Sequence, residues 1–203
     1  MKEQKKLEDL LSFVAFTNGA NTVERIARTP GTQRWGNVSE HSYQLALVAW
    51  YIIEKESLNL DKTKVLQYAL IHDLVEIYAG DTYTFDEEAR KEKEKKEYEA
   101  LKRIRKEFPD VPEFSSFIEQ YEKRADAESK FVFAVDKIID PINIYLDNGT
   151  LFREKGVTLP MLLENKTENI QSDPHVYSYF ESIVEKMKEK EEELFGETLF
   201  PKK

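Results

Sequence analysis

The chain has 203 residues and a net charge of −9, from 30 Lys and Arg against 39 Asp and Glu. This length suits one ordinary domain, since domains average roughly 150 residues. The absence of cysteine excludes disulfides, thiol nucleophiles and cysteine-ligated metals, so any metal site must use histidine and carboxylates. An acidic surface disfavours nucleic acid as a partner, and an anionic ligand would need a local cationic pocket.

The N-terminal sequence MKEQKKLEDL lacks the pattern of a secretory leader, and no apolar run approaches the roughly 18 residues that a membrane span needs. We therefore expect a cytoplasmic protein that does not bind membranes. With 40% hydrophobic and 34% charged residues, the composition is typical of a helix-rich globular protein.

Hydrophobic periodicity is helical along almost the whole chain, which predicts an all-α, single-domain helical bundle over residues 1–203. The first helix should cover residues 2–16 and end near Gly19. A short helix over residues 21–27 and a loop broken at 29–31 should follow. We expect no β-strand, because no stretch of four to eight residues alternates convincingly.

The later helices are predicted from their caps and apolar stripes. They are expected at 39–55 with Ser39 as cap, 61–80, 86–107, just after Pro112 and 126–147. Two C-terminal helices are expected within about 158–195, the first opened by Thr158 and the second capped by Asp173. Pro141 should kink the helix over 126–147, and Gly196 should end the last helix. The highly charged segment 86–107 is interpreted mainly as a solvated face with i,i+4 pairs.

Four polar side chains that are costly to bury fall in apolar helical segments. His41 precedes Leu45 by one helical turn, and His72 shares the apolar face of its own helix. Asp73 and Asp136 stand in the apolar runs ALIHDLVEIY and FVFAVDKIID. A carboxylate is rarely buried without a partner, because removing its charge from water costs several kcal/mol. Each of these burials needs an explanation.

Taken singly, each residue is better interpreted as a satisfied core histidine or a hydrogen-bonded aspartate. Taken together, they are explained at once by one divalent ion held by His41, His72, Asp73 and Asp136. Two neutral imidazoles and two carboxylates suit such an ion with water in an open position, and they accept Mn, Co, Mg or Zn. The sequence therefore indicates a metal site of unspecified metal.

These residues carry a resemblance to a known family. The order His41, His72-Asp73 and Asp136 on a helical chain resembles the HD-domain metal-dependent phosphohydrolases. The segments NVSEH, HDLVE and Gly80-Asp81 resemble more specifically their 5'-deoxynucleotidase branch, over about residues 25–145. The resemblance implies an HD-type helical bundle in which those four side chains hold the metal, with the motif-bearing core at about 21–147.

The resemblance also implies two catalytic carboxylates, Glu76 and Asp81. Asp81 is assigned to orienting and deprotonating the attacking water, and Glu76 to proton transfer toward the departing alkoxide. The division of these two roles between the residues is left open. Without the motif, Glu76 would be a solvated helix-end carboxylate and Asp81 a turn-forming residue.

A phosphate group requires positive charge near the metal. Arg25 corresponds to the phosphate-contacting arginine of the deoxynucleotidases, and a planar guanidinium suits bidentate phosphate contact. Arg28, Arg34 and Lys137 are further candidates.

One position departs from the family pattern. In bacterial deoxynucleotidases a tryptophan follows the phosphate-contacting arginine and helps to exclude a ribose 2'-hydroxyl, whereas this chain has Ile26. Trp35 is the candidate to occupy the corresponding space in the substrate site. Preference for deoxyribose over ribose is therefore open, and His175, which lies in no motif, is expected at the surface.

The leading function is a metal-dependent phosphomonoesterase that hydrolyses (deoxy)nucleoside 5'-monophosphates to nucleoside and phosphate. One alternative is another HD phosphohydrolase acting on nucleoside polyphosphates or alarmones. The other is a non-catalytic helical interaction module, against which the intact Glu76 and Asp81 argue. Related proteins are commonly dimers, so a homodimer is expected.

Overall fold

The computed structural model describes residues 2–196, so that Met1 and residues 197–203 of the predicted span lie outside the described residues. The described chain forms eleven α-helices and one two-stranded antiparallel sheet. The strands are β1 (Glu24–Arg28) and β2 (Trp35–Asn37). The helices are α1 (Lys2–Gly19), α2 (Val38–Glu56), α3 (Lys62–Ile71), α4 (Glu76–Ala79), α5 (Glu87–Glu107), α6 (Pro112–Glu122), α7 (Ala127–Leu146), α8 (Thr150–Lys155), α9 (Leu159–Ile170), α10 (Pro174–Glu189) and α11 (Glu191–Phe195).

Helix α7 lies at the centre of the fold, with α2, α3, α6, α9 and α10 packed on it. Asp126 caps it through a reciprocal pair of hydrogen bonds with Ser129, as the sequence predicted for a helix starting there. Phe131, Ala134 and Ile138 are almost completely buried. The predicted all-α fold is confirmed in its main part. Among residues 2–196, no helix has the length and apolar character needed to cross a membrane.

The predicted helix over residues 21–27 is wrong, and so is the expectation of no strand. Glu24–Arg28 forms β1 and pairs antiparallel with β2, with Glu24 opposite Asn37. The N–H of Thr29 donates to the carbonyl of Arg34 at 3.1 Å and closes the ribbon. The prediction failed because the strand is stabilised by a partner across a turn, and a local hydrophobic pattern does not contain that pairing.

The start of α2 is set by Asn37 rather than by the predicted cap Ser39. The Asn37 side chain accepts a hydrogen bond from the Glu40 N–H at 3.0 Å, and the Glu40 carboxylate accepts one from the Asn37 N–H at 3.3 Å. This capping box satisfies two N–H groups that the helix itself cannot satisfy. It places His41 in the first part of α2, where it is buried.

The predicted single helix over 61–80 is interrupted. Helix α3 begins after its cap Asp61, residues 72–75 form a turn, and the short helix α4 follows. Within the turn, the N–H of Glu76 donates to the carbonyl of Asp73 at 2.9 Å, a tighter i to i+3 bond. Successive residues of a regular α-helix point about 100° apart. The break therefore changes the directions available to the side chains of the His72-Asp73 motif.

The C-terminal helices begin where the sequence predicted, at the caps Thr158 and Asp173. However, α10 ends at Glu189, because Lys190 leaves the helical conformation with φ −123° and ψ 29°, and α11 then runs to Gly196. Helix α8 was not predicted. A small hydrophobic cluster joins these elements through Phe152, Val157, Leu159, Leu162, Met187 and Leu194.

Candidate functional site

The four predicted metal ligands meet at one point. His41 comes from α2, His72 and Asp73 from the turn after α3, and Asp136 from the middle of α7. The Nε2 atom of His41 lies 2.8 Å from Oδ1 of Asp136 and 3.9 Å from Oδ2 of Asp73. The Nε2 atom of His72 lies 2.9 Å from Oδ2 of Asp73 and 3.9 Å from Oδ1 of Asp136. Both imidazoles therefore direct Nε2 at the two carboxylates.

This donor set fits a divalent ion. One ligand atom each from His41, His72 and Asp73 lies within 4.8 Å of the others. Donors about 2.1 Å from an ion are separated by about 3.0 to 3.4 Å in octahedral or tetrahedral shells, close to the observed spacings. The Nδ1 atom of His72 donates to the carbonyl of Ala69 at 3.0 Å, which leaves the lone pair on Nε2. That Nε2 is buried, and its 2.9 Å approach to Oδ2 of Asp73 does not have the geometry of a hydrogen bond.

The pKa directions of His41, Asp73 and Asp136 suit metal binding, whereas that of His72 does not. Burial acts to lower the pKa of His72, but Asp73 outweighs it and raises that pKa, which favours the charged ring. Burial lowers the pKa of His41, which favours the neutral ring. Burial acts to raise the pKa of Asp136, but Lys137 at 2.6 Å and His41 outweigh it and hold that pKa well below its usual range. Burial likewise opposes ionisation of Asp73, and His72 and Arg25 lower its pKa nevertheless. Both aspartates are therefore anionic at neutral pH.

Glu76 and Asp81 lie beside this donor set and line the same cavity. Glu76 is 3% exposed, and its Oε2 atom has no hydrogen-bond partner in the described part of the chain. Burial, with the nearby charges of Asp73 and Asp81, raises the pKa of Glu76 well above its ordinary value. A carboxyl group with a raised pKa can hold a proton near neutral pH and deliver it.

Asp81 reaches the cavity through the backbone turn at Gly80, whose φ of 78° is rarely adopted by other residues. Its Oδ2 atom accepts a hydrogen bond from the N–H of Ile26 at 3.2 Å, which ties the loop to strand β1. Burial raises the pKa of Asp81, and Arg25 partly offsets that rise. The structure therefore brings Asp81 beside the donor set from outside the helix.

The cavity has both polar and apolar side chains in its lining. Its polar lining includes Asp73, Glu76, Asp81, Lys93, Asp136 and Lys137. Its apolar and aromatic lining includes Tyr83, Phe85, Ile144, Leu151, Phe152 and Leu162. Arg25, Asp140 and Lys166 also line it. Such a cavity suits a ligand with a charged group and an apolar, ring-containing part.

The cavity contains cations as well as acids. Arg25 lies 3.6 Å from Asp73 and 3.5 Å from Asp140, with its Nη1 buried and without a hydrogen-bond partner among the described residues. Lys166, from α9, is 4% exposed and lies 3.7 Å from Asp140. Burial lowers the pKa of Lys166.

The comparison with known families decides the assignment of this fold. The sequence pattern of the HD domain matches residues 20–176, a segment that contains all four predicted ligands. The chain belongs to the HD-domain family. The HD-type helical fold predicted from the order of the ligands is thereby confirmed.

Several proteins related to this HD-domain chain carry names that describe an activity. Human 5'-deoxynucleotidase HDDC2 is 33% identical over 132 residues, which cover 62% of this chain and 63% of the human protein. The yeast 5'-deoxynucleotidase YGK1 from Saccharomyces cerevisiae is 29% identical over 107 residues, which cover 50% of this chain and 48% of the yeast protein. The chain thus spans less than two thirds of the length of these curated relatives.

A solved structure is similar over nearly the whole chain. It is described as a predicted metal-dependent phosphohydrolase from Magnetospirillum magnetotacticum, and it has a TM-score of 0.80 at 27% identity. The similarity covers 91% of this chain and 96% of the other. Together with the clustered His41, His72 and Asp73, these similarities support a divalent-metal site in this HD domain.

Two of the predicted substrate residues line the HD-domain cavity and two do not. Arg25 and Lys137 line it. Arg28 instead forms an ion pair with Glu154 at 2.8 Å, and its guanidinium lies 5.1 Å from the centre of the Trp35 ring. Arg28 and Trp35 are not part of the cavity lining among the described residues, and their contact with a substrate stays a prediction.

The other positions singled out in the sequence lie at the surface. Arg34 is exposed and pairs with Glu40 at 2.9 Å. Ile26 lies beside the cavity and is 37% exposed. His175 is exposed at the start of α10, as expected.

Sequence reasoning missed three charged residues of the HD-domain cavity: Asp140, Lys166 and Lys93. A signal for Asp140 exists, because it follows Asp136 by four residues and so occupies the same face of α7. Lys166 has no neighbouring motif. Lys93 lies within the charged segment that was interpreted mainly as a solvated face.

Proposed function

We propose that this HD-domain chain is a metal-dependent phosphohydrolase that cleaves (deoxy)nucleoside 5'-monophosphates to nucleoside and phosphate. The observation that carries the proposal is the placement of Glu76 and Asp81 beside the His and Asp donor set, in a cavity that also has apolar and aromatic lining. A purely structural metal site has no need of two further acids beside it. The names of the curated relatives support the same activity.

His41, His72, Asp73 and Asp136 would hold the ion. A divalent ion in this position would lower the pKa of a bound water and polarise a phosphoryl oxygen. The donor set accepts Mn, Co, Mg or Zn, so the ion is left to be identified by metal analysis.

The two acids would divide the proton transfers. Asp81 is held by the Ile26 N–H through Oδ2, and we assign it to orienting the attacking water and accepting its proton. Glu76 is buried and has a raised pKa, and we assign it to donating a proton to the departing 5'-oxygen. The proton gained by Asp81 and the proton lost by Glu76 balance over the reaction.

The charges of the cavity favour a phosphate group only when the ion is bound. Five carboxylates line it, from Asp73, Glu76, Asp81, Asp136 and Asp140, against four cations, from Arg25, Lys93, Lys137 and Lys166. With Glu76 protonated as the proton donor, four ionised carboxylates face the four cations, and a divalent ion then makes the cavity positive. We expect Arg25 and Lys137 to contact the phosphate oxygens and the apolar side chains to hold the nucleoside.

The test is phosphate release from a panel of deoxynucleoside and ribonucleoside mono-, di- and triphosphates. Metal-stripped protein should be inactive and should regain activity with Mn²⁺, Co²⁺ or Mg²⁺. Phosphate release should then be faster from monophosphates than from the other substrates. Release from triphosphates alone would overturn the assigned substrate class and favour the polyphosphate alternative. Equal release by the wild type and Asp136→Ala would favour the non-catalytic module.

We also expect a homodimer. Helix α1 exposes Leu7, Leu10, Leu11 and Val14 along one stripe, each by about half. Large exposed apolar stripes are uncommon on monomers and often form interfaces. Light scattering at micromolar concentration should give twice the mass of the chain, and a monomer mass would contradict the expectation.

We also propose that the chain forms a single domain and that the protein is cytoplasmic. The packing of α9 and α10 on α7 supports one cooperative unit. A single calorimetric unfolding transition would test the first proposal, and cell fractionation would test the second.

A further inference from the structure

Helix α5 places one of its lysines, the partly exposed Lys93, at the edge of the cavity. The neighbouring Lys91 and Lys95 are exposed, whereas Lys93 lines the cavity that holds Glu76. The Nζ atom of Lys93 lies 3.8 Å from Oε1 of Glu76 and 3.1 Å from Oε1 of Glu97. Lys93 therefore connects the charged helix with the predicted proton donor.

Few other positive charges stabilise the Glu76 carboxylate. Among the described residues, Lys93 is the only cation within 4.0 Å of its carboxylate. Asp73 and Asp81 face the same group as negative charges, and Arg25 faces it as a more distant positive charge. When Glu76 gives up a proton, its new negative charge forms next to other acids, and Lys93 is the nearest group that can stabilise it.

The position of Lys93 is itself fixed. Glu97 lies one helical turn further along α5, on the same face, and pairs with the Lys93 ammonium. Glu97 is faced in turn by the cation Lys137 from α7 and lies near Glu122 from α6. Two acids from different elements, Glu76 and Glu97, thus hold one ammonium group between them.

We infer that Lys93 is a positioning residue for Glu76, which it holds through Oε1 while Oε2 is left without a protein partner for proton exchange. The inference rests on the proposed phosphohydrolase function. Lys93 remains protonated throughout, and the transferred proton moves from Glu76 to the departing oxygen.

The test uses the metal-loaded full chain with a deoxynucleoside monophosphate that the wild type hydrolyses. Lys93→Met should lower kcat by about 10- to 100-fold, part of the usual contribution of a proton-transferring group. KM should change by less than about threefold, because an interaction made through Glu76 acts in the transition state and not on substrate binding. Lys93→Arg, which keeps the charge, should recover part of the rate.

Lys91→Met is the matched control. Lys91 lies on the same helix, is exposed, and pairs only with Glu88 at 2.5 Å among the described residues. This variant should keep the kcat and KM of the wild type. Metal content and melting temperature are measured for every variant, and if Lys93→Met does not fold, Lys93→Gln gives the same comparison with Lys93→Arg.

A double-mutant cycle with Glu76→Gln identifies the route of the effect. If Lys93 acts through Glu76, adding Lys93→Met to Glu76→Gln should lower kcat by less than about twofold more. A full multiplicative loss with a raised KM would show that Lys93 binds the substrate directly, and it would overturn the inference. Equal kinetics of Lys93→Met and Lys91→Met would also overturn it. An inactive wild type would instead refute the proposed function.

Discussion

Helices α7 and α5 bring charged side chains into the same cavity in opposite ways. Helix α7 is largely apolar, and Asp136, Lys137 and Asp140 are its charged residues that line the cavity. Helix α5 is charged along its length, and only Lys93 of its described side chains lines the cavity. Burial in α7 is a property of the helix face, whereas burial in α5 depends on the neighbouring α4, on which it packs.

The two helices also differ in which groups pair with their charged side chains. Asp136 is paired with His41 from α2 and with the adjacent Lys137, and Asp140 with Arg25 from β1 and Lys166 from α9. Lys93 pairs with Glu97 one turn away on its own helix and with Glu76 from the neighbouring α4. The charges of α7 therefore depend on several distant elements and on a bound ion, and their removal should have the larger effect.

The strongest expected effect is that of Asp136→Asn. It removes one charged donor and leaves His41 facing a neutral amide, so the affinity for metal and the rate should both fall. We expect phosphate release to fall by about 1,000-fold or more, since the ion supplies several kcal/mol and each 1.4 kcal/mol is tenfold. Metal analysis and phosphate release measure both effects. Unchanged metal content would remove Asp136 from the ligand set.

A smaller effect is expected at Lys166 of α9, whose ammonium group compensates the charge of Asp140 on α7. Lys166→Met removes a cation from the cavity, and KM for a monophosphate should rise about tenfold, because a hydrogen bond to a charged group is worth about 1.5 to 3 kcal/mol. The melting temperature should change little, because Asp140 keeps Arg25 at 3.5 Å. Lys188→Met, on the exposed side of α10, is the control. An unchanged KM would separate Lys166 from substrate binding.

The smallest effect concerns Glu122 of α6, which lies near the Lys93–Glu97 ion pair of α5. Burial, and then Glu97, raises the pKa of Glu122 from its ordinary 4.5 to about 7. The folded state then binds the proton more tightly than the unfolded state, so this contribution to stability is complete below pH 4.5 and is lost as pH rises through 7. Glutamine does not ionise, so Glu122→Gln should remove this loss of stability at high pH.

Thermal unfolding at pH 5 and pH 8 tests this expectation. The gain in stability of Glu122→Gln over the wild type should be larger at pH 8, by about 1 to 2 kcal/mol after allowance for partial exposure. Glu113→Gln, an exposed position on the same helix α6, is the control. A gain that is equal at the two pH values would show that Glu122 does not contribute in this way.

The predictions from sequence succeeded where a helix carried its own signal. The helices predicted to start at Asp61, Asp126, Thr158 and Asp173 are α3, α7, α9 and α10, each capped by that residue. The donor residues stood out because histidine and aspartate in apolar segments are costly to bury. Lys93 gave no such signal, since a lysine among other charged residues is not unusual.

The sequence by itself indicated most of the helices, the candidate donor residues and the family, because these depend on periodicity and on the order and spacing of motif residues. Only the tertiary structure decided the strand β1, the break before α4 and the partners of Asp140. It also held Arg28 against Glu154, a residue 126 positions away. These features arise from contacts between distant segments, whose energies are set by packing and compensating charge rather than by local pattern.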